Sequence, residues 1–544
     1  MTVAKWEHAI VWLMALLGGY LCWDIGHNGI FLLDQSMVFD SGWRILSGQV
    51  PYRDFGMPFG PLTSLLQSAA FAIGGVNWHA SVAPAVLIHI LATPTIWHIQ
   101  RVFFQGKTKL PAWIAAASSA FFFYTPFGTL WFELSGVFFV LLSMLALMAG
   151  PKEGTRRKLW DIIAGALFFT TFLCKQNVAL FYTPLPLAIL FCRPFGLRNR
   201  INSLVHFALG NLALLSICIG TAALLNSLME SWFYLIMLPR EIALARASVQ
   251  GLPMGFHLFP TSLAAASAAI SGLTILIHFR SANQQPELFQ IGLICIIQTT
   301  CWLLTLLSTA NEYVLFAFGA GLLLANMLGQ ILLLIQPWIA DKANANSLKR
   351  QGVQLGFFCT SALILTLFMT TTWPMISGRI VQQFQPGTKF EQTLKISGLE
   401  GLRWGEPTIA KRIDTNAEQW IEASHLEQVV QFLRRQNSNF YVWGDTTLLY
   451  GLLRRASPPP LLYFGANHSY LRKDTKKLDL QFQSSLENAK IGFIVKEVAL
   501  HTPKGVNDLN DFPLTRDWIQ TNFQPAHEWG IYQVWERRRQ PLER

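Results

Sequence analysis

Hydrophobic runs of membrane-spanning length recur along the first two thirds of the chain, separated by short polar breaks. A helical span takes about 20 mostly apolar residues. Runs of that order occupy residues 5–23, 78–100, 111–124, 130–149, 160–174, 178–191, 204–225, 257–278, 291–307, 314–335 and 353–372, so about eleven spans are expected. No small-residue cleavage site follows the first run, which reads as a retained span and not as a removed signal. Residues 61–73, PLTSLLQSAAFAI, are apolar on one face, short, and closed by Gly74 and Gly75. That length suits a helix lying at the membrane interface.

Charge orients this series. Arg101, Lys107 and Lys109, then Lys152, Arg156, Arg157 and Lys158, then Arg193, Arg198 and Arg200, then Lys342, Lys349 and Arg350 all fall in breaks on one side. By the positive-inside rule that side is cytoplasmic. The opposite side collects the loop 24–77, the turn at Glu133, the Lys175-Gln176-Asn177 corner, residues 226–256, and the turn at Asn311, Glu312 and Tyr313.

After Trp373 the chain takes on an ordinary soluble mixture. The expected organisation is a membrane domain, 1–375, and an external α/β domain, 376–544. Within the latter, residues 423–436 repeat apolar positions at helical spacing, and 439–443 (NFYVW), 491–495 and 530–535 read as strands. The fold class is therefore a mainly α polytopic membrane protein with a C-terminal external α/β domain.

Composition agrees: 52% of residues are hydrophobic, 13% are charged, and mean hydropathy is +0.35, against about 25% charged residues in soluble domains. The net charge of +11 resides in the short breaks that set orientation, so no nucleic-acid partner is expected. Membrane lipids are the expected surroundings. The seven cysteines lie in or beside apolar runs, without a CxxC spacing. His27, His79, His89 and His98 show no metal-ligand spacing, and no phosphate-cradling glycine motif is present.

Candidate chemistry gathers in residues 34–61, DQSMVFDSGWRILSGQVPYRDFGMPFGP. A carboxylate just beyond a span, packed against other helices, is partly desolvated and suited to general-base work. Asp34 is the first candidate; it also fits the N-cap of a helix over 35–46, and one residue can do both. Asp54 is the second, with a local ion pair to Arg53 as the alternative. Asp40 falls within the helix and reads as a solvated or structural acid. Lys175 interrupts two apolar helices, where a functional role competes with snorkelling to the interface. Arg240 and Arg246 lie on a lipid-facing helical stretch, 238–249, where they face either a phosphate or lipid headgroups. Glu133 and Glu312, at span ends on the same side, are auxiliary candidates for contact with an acceptor or a metal, as are Arg53 and Tyr313.

The run Asp34-Gln35, Trp43 to Gly48 (WRILSG), Pro51 to Phe55 (PYRDF) and Gly60-Pro61-Leu62 resembles the first external loop of bacterial membrane glycosyltransferases of the GT-C superfamily. The nearest group is that of the protein O-mannosyltransferases and lipid A aminoarabinose transferases. The resemblance extends to LCKQN at 173–177 and YVWGD at 441–445. Relatives commonly carry Asp-Glu where this chain has Asp34-Gln35, so a carboxylate is missing at position 35.

The resemblance implies inverting transfer of one sugar, a hexose or pentose, from a polyprenyl-phosphate carrier to an acceptor on the external face of the inner (plasma) membrane. The acceptor class, whether lipid, polysaccharide or protein, stays open. Asp34 is then the base that takes the hydroxyl proton, and Lys175, Arg240 and Arg246 supply positive charge to the departing phosphate. No cofactor is required by the motifs, and a divalent cation is left open. The rivals are a transporter or flippase of a lipid-linked or small polar substrate, and an inactive member serving as an assembly subunit. A transporter calls for interrupted helices at the bilayer midplane and inverted repeats, whereas the acids here collect at one face.

Overall fold

The structure, a computed structural model, describes residues 5–30, 32–125, 127–151, 154–193, 196–250, 258–279, 286–308, 312–340, 392–404, 423–465, 469–471, 475–497 and 509–538. The expected span over 353–372 and the domain boundary at 375 lie outside these residues.

Helices dominate the first 340 residues. They are α1 (Lys5–Gly26), α2 (Leu32–Leu46), α3 (Leu62–Gly74), α4 (Trp78–Phe103), α5 (Leu110–Phe122), α6 (Phe132–Ala149), α7 (Thr155–Cys174), α8 (Gln176–Tyr182), α9 (Pro184–Phe191), α10 (Leu197–Leu224), α11 (Leu228–Trp232), α12 (Leu238–Gln250), α13 (Leu258–Phe279), α14 (Pro286–Ser308) and α15 (Glu312–Ala340). A π-helical turn, Phe233–Met237, joins α11 to α12. Among the described residues five helical stretches are long and apolar enough to cross a membrane: Lys5–Gly26, Trp78–Phe103, Phe132–Ala149, Leu197–Leu224 and Glu287–Leu306. Shorter apolar helices stand beside them, including Leu110–Phe122 and Gln176–Phe191. The protein is thus a multi-pass membrane protein. The run 178–191 is interrupted at Thr183-Pro184, where Pro184 cannot supply the backbone N–H that would continue α8. Residues 61–73 form the short helix α3, as expected, packed on α2, α4 and α7.

The helix ends sort onto two sides of the bundle. The end of α1 meets the start of α4, where the Trp78 indole donates to the Gly26 carbonyl at 2.8 Å. At their other ends, buried Glu7 accepts from Lys109 at 2.6 Å and lies 3.9 Å from Arg101. The start of α6 touches the loop through Phe132 and Phe59. The end of α6 meets a buried trio in which Asp161 holds Arg157 at 2.8 Å and Arg193 at 3.0 Å, both arginines also donating to the Leu147 carbonyl. Basic clusters therefore gather at the helix ends away from the polar loop.

The C-terminal domain contains α16 (Ala423–Arg434), β3 (Asn439–Trp443), α17 (Leu449–Leu452), α18 (Thr475–Asn488), β4 (Ile491–Glu497), α19 (Pro513–Asn522), β5 (Phe523–Trp529) and β6 (Tyr532–Arg537), preceded by a two-residue ladder of β1 (Gln392–Thr393) and β2 (Arg403–Trp404). Its sheet has the order β3-β4-β6-β5, with β3 and β4 parallel and the other pairs antiparallel. A small α/β domain was expected; β5, α18 and α19 were not anticipated. One apolar core runs across both halves, since Phe39, Phe71, Val76 and Trp78 pack with Leu426, Val430, Leu449 and Val534. The C-terminal domain and the polar loop consequently lie on the same side of the helical bundle.

Candidate active site

Helix α2 carries the first acid. It begins at Leu32, so half-buried Asp34 stands in its first turn and not at the N-cap. A carboxylate there still interacts favourably with the helix dipole. The next residue, Gln35, is buried at 3% exposure and donates its amide to the Phe127 carbonyl at 2.8 Å. A carboxylate has no proton to donate there, which gives the departure at position 35 a physical reason: Gln35 ties α2 to the turn between α5 and α6.

One turn on, Asp40 and Arg44 form a fully buried ion pair at 2.8 Å. Burial raises the Asp40 carboxyl above its usual range, while Arg44 and the Ser457 hydroxyl oppose the shift. Asp40 is a structural acid and is not solvated. Asp54 is placed differently. It is half-exposed, receives two guanidinium bonds of 2.8 Å from Arg53, and caps the turn by accepting from the Val50 N–H at 2.7 Å. Its hydrogen bond with Arg53 holds its carboxyl below the usual range. The geometry thus contains the local pair that composition allowed for.

From Phe55 the loop turns toward the helices. Gly60 lies so close to the end of α7 that an added β-carbon would overlap the Leu173 carbonyl oxygen. Beyond that contact, Lys175 separates α7 from α8 in extended backbone. Its ammonium lies 3.2 Å from the Glu133 carboxylate and over the rings of Phe59 and Phe132, at 5.4 and 6.0 Å from their centroids. The notion of Lys175 and Glu133 as separate interface charges gives way to a pair.

A chain of ring contacts connects this corner to α2. Phe132 packs at a tilt against Phe59 with ring centroids 3.9 Å apart, Trp131 meets Phe132 at 5.4 Å and Phe127 at 4.7 Å, and the Phe127 carbonyl receives Gln35. On the other flank, Gln176 donates to the Leu235 carbonyl at 3.3 Å, Asn177 donates to Ser308 at 2.8 Å, and Tyr234 stacks over Tyr52 at 6.2 Å. The π-helical turn bearing Tyr234 leads into α12, whose exposed Arg240 follows. Arg246 is on the same helix, but its side chain lies outside the described residues. So do the side chains of Glu312 and Tyr313, at the start of α15. Contacts therefore run from the turn of α2 that carries Asp34 to the Glu133–Lys175 pair, and from the loop at Tyr52 to the turn that leads into α12.

Two small cavities, of about 10 and 20 Å³, sit elsewhere around Leu141, Met144, Gln298 and Leu322, the first beside α4 and the second beside Tyr182 and Trp302. They contain none of the candidate residues. Among the described residues, no three His, Cys, Asp or Glu side chains converge as a metal site would require. The contacts that sequence reasoning missed, Gln35 to Phe127 and Tyr234 to Tyr52, join residues 92 and about 180 positions apart. No local pattern signals them.

The protein thus combines a polytopic helical domain, an acid-bearing first loop, a lysine corner and an α/β domain on the same side as that loop. Residues 58–221 match the family model of the dolichyl-phosphate-mannose-protein mannosyltransferases. That segment is less than half of the chain and includes Gly60, Glu133 and Lys175. Similar solved structures include the archaeal oligosaccharyltransferase AglB from Archaeoglobus fulgidus in complex with an inhibitory peptide and a dolichol-phosphate, at 12% identity and a TM-score of 0.48, over 99% of this chain and 75% of that one. ArnT from Cupriavidus metallidurans bound to undecaprenyl phosphate aligns at 13% identity and a TM-score of 0.48, over 98% of both chains. Neither reaches a TM-score of 0.5. A search of the curated proteins gives no match.

Proposed function

We propose that the protein transfers a hexose or pentose from a polyprenyl-phosphate carrier to an acceptor on the external face of the inner (plasma) membrane, with inversion. The observation that carries this reading is the family match through the Lys175 corner, where a half-buried cation stands beside the acid loop. In this mechanism Asp34 takes the proton of the acceptor hydroxyl as its oxygen attacks the anomeric carbon. The bond from that carbon to the phosphate oxygen breaks, and the polyprenyl phosphate leaves toward Lys175, Arg240 and Arg246. Lys175 is held by Glu133 in the structure, so phosphate binding involves an exchange of partners. Asp54 is the second acid of the loop, with Arg53 as its counter-ion. The C-terminal domain, 376–544, lies on the external side with the loop.

The test is purification of the full protein with its co-extracted lipids, followed by mass spectrometry. Polyprenyl phosphate or its sugar conjugate should be found with the wild type and depleted in Lys175→Ala. A wild type that carries only bulk phospholipid would contradict the reading.

A further inference from the structure

The C-terminal domain reaches across the acid loop with one extended segment, residues 455–462. Its contacts reach loop residues from Asp40 to Gly56. The Trp43 indole donates to the Arg455 carbonyl at 2.8 Å, the Gln49 amide to the Ser457 carbonyl at 3.1 Å, and the Ser457 hydroxyl to Asp40 at 3.2 Å. Arg44 donates to the Pro459 carbonyl at 2.8 Å. The Gly56 N–H then donates to the Pro460 carbonyl at 2.8 Å, and the Leu462 N–H to the Gly56 carbonyl at 3.0 Å, as a short parallel bridge. Three successive prolines, Pro458 to Pro460, stiffen this segment and leave its carbonyls available as acceptors.

Arg44 is the hub. It is 1% exposed. One guanidinium edge holds Asp40 on α2, another atom holds the strap at Pro459, and its plane lies 5.1 Å from the Phe55 ring centroid. Three parts of the protein meet on this one side chain: the helix that presents Asp34, the turn that presents Asp54, and the C-terminal domain. A lysine could keep the pairing with Asp40, but it lacks the planar fork that serves two acceptors at once.

We propose that Arg44 is a positioning residue and that the strap at 455–462 sets the acid loop in its catalytic geometry, which makes the C-terminal domain a part of the transfer step. This rests on the reading of the loop as catalytic. Arg44 touches no reacting atom; it acts through Asp34 and the loop. Its loss is therefore expected in turnover and not in carrier binding, because misplacement by about 1 Å costs on the order of a hundredfold in rate.

Three readouts on the full-length protein in detergent test this for wild type, Arg44→Lys and the milder Trp43→Phe, which keeps the ring but removes the bond to Arg455. These are turnover of lipid-linked sugar supplied as a total membrane lipid extract, binding of undecaprenyl phosphate, and hydrogen exchange at the Gly56 and Leu462 amides. Arg44→Lys should lower kcat by about 10- to 100-fold and Trp43→Phe by a smaller factor. Affinity for undecaprenyl phosphate should stay within about twofold. Exchange at both amides should accelerate in step with the loss of kcat. Wild-type kcat in both variants, or a loss confined to KM, overturns the proposal. Absence of transfer by the wild type counts against the functional reading itself; the exchange readout then decides the strap alone, and unchanged protection in Arg44→Lys overturns it.

Discussion

At the scale of single residues, the loop contains positions where a small chemical change has a definite consequence. Gln35 is one. Replacing it with the glutamate common in relatives sets two acceptor oxygens against each other across 2.8 Å in a buried setting. Gln35→Glu should therefore lower stability by about 1–3 kcal/mol without raising the transfer rate. Thermal unfolding in detergent checks this, and a faster enzyme of unchanged stability would contradict it. Gly60 is another. An added methyl meets the Leu173 backbone oxygen and no movable side chain, so Gly60→Ala should displace the loop from α7. The measurable outcome is loss of transfer together with a lower unfolding temperature, whereas alanine at open Gly196 should leave both near wild type.

Between elements, charge is used in two ways. On the side away from the loop, Asp161 holds Arg157 and Arg193 beside the end of α6. Removing that carboxylate leaves two buried guanidinium groups facing one another, and Asp161→Asn should cost about 3–5 kcal/mol, read from thermal unfolding or from the fraction of protein recovered folded. On the loop side, His27 and His79 share a hydrogen bond of 2.8 Å where α1 and α4 meet β2. Burial holds the His27 imidazole below the usual histidine range; the Trp23 carbonyl and Asp24 oppose the shift, while His79 and Arg403 add to it. The unfolded chain then binds the proton more readily than the folded one, so stability should fall as pH drops through about 6.5. Thermal unfolding should show this decline between about pH 7 and pH 5, and it should shrink in His27→Gln. A decline of equal size in the variant would assign it to other groups.

The elements differ in how openly the sequence announces them. Long apolar runs such as 78–100 and 130–149 were legible because nothing but a helix satisfies its backbone inside a bilayer. The break at Thr183-Pro184 follows from the missing proline donor, yet it lay inside a continuous apolar run. Strand β5 was hidden because it is an edge strand, exposed along most of its length and lacking alternation. Of the site, Asp34 and Lys175 could be singled out as charges at the ends of apolar runs. Their surroundings could not, because Glu133 comes to Lys175 from another helix and the strap reaches Arg44 from 415 positions away.

At the scale of the whole molecule, the helical bundle and the C-terminal domain form one body around the polar loop. Basic clusters gather at the opposite helix ends. Such a division leaves Asp34 and the Glu133–Lys175 pair on the loop side, where the proposed transfer from a lipid-linked donor would need a proton acceptor and a cation. Asp34 is the residue on which that account depends. The most direct measurement compares sugar transfer from a total membrane lipid extract by wild type and Asp34→Asn, with undecaprenyl phosphate binding followed in parallel. Loss of a general base predicts a fall of about 10²- to 10⁴-fold in transfer, with the protein folded and carrier affinity retained. Transfer at the wild-type rate by Asp34→Asn would contradict the account.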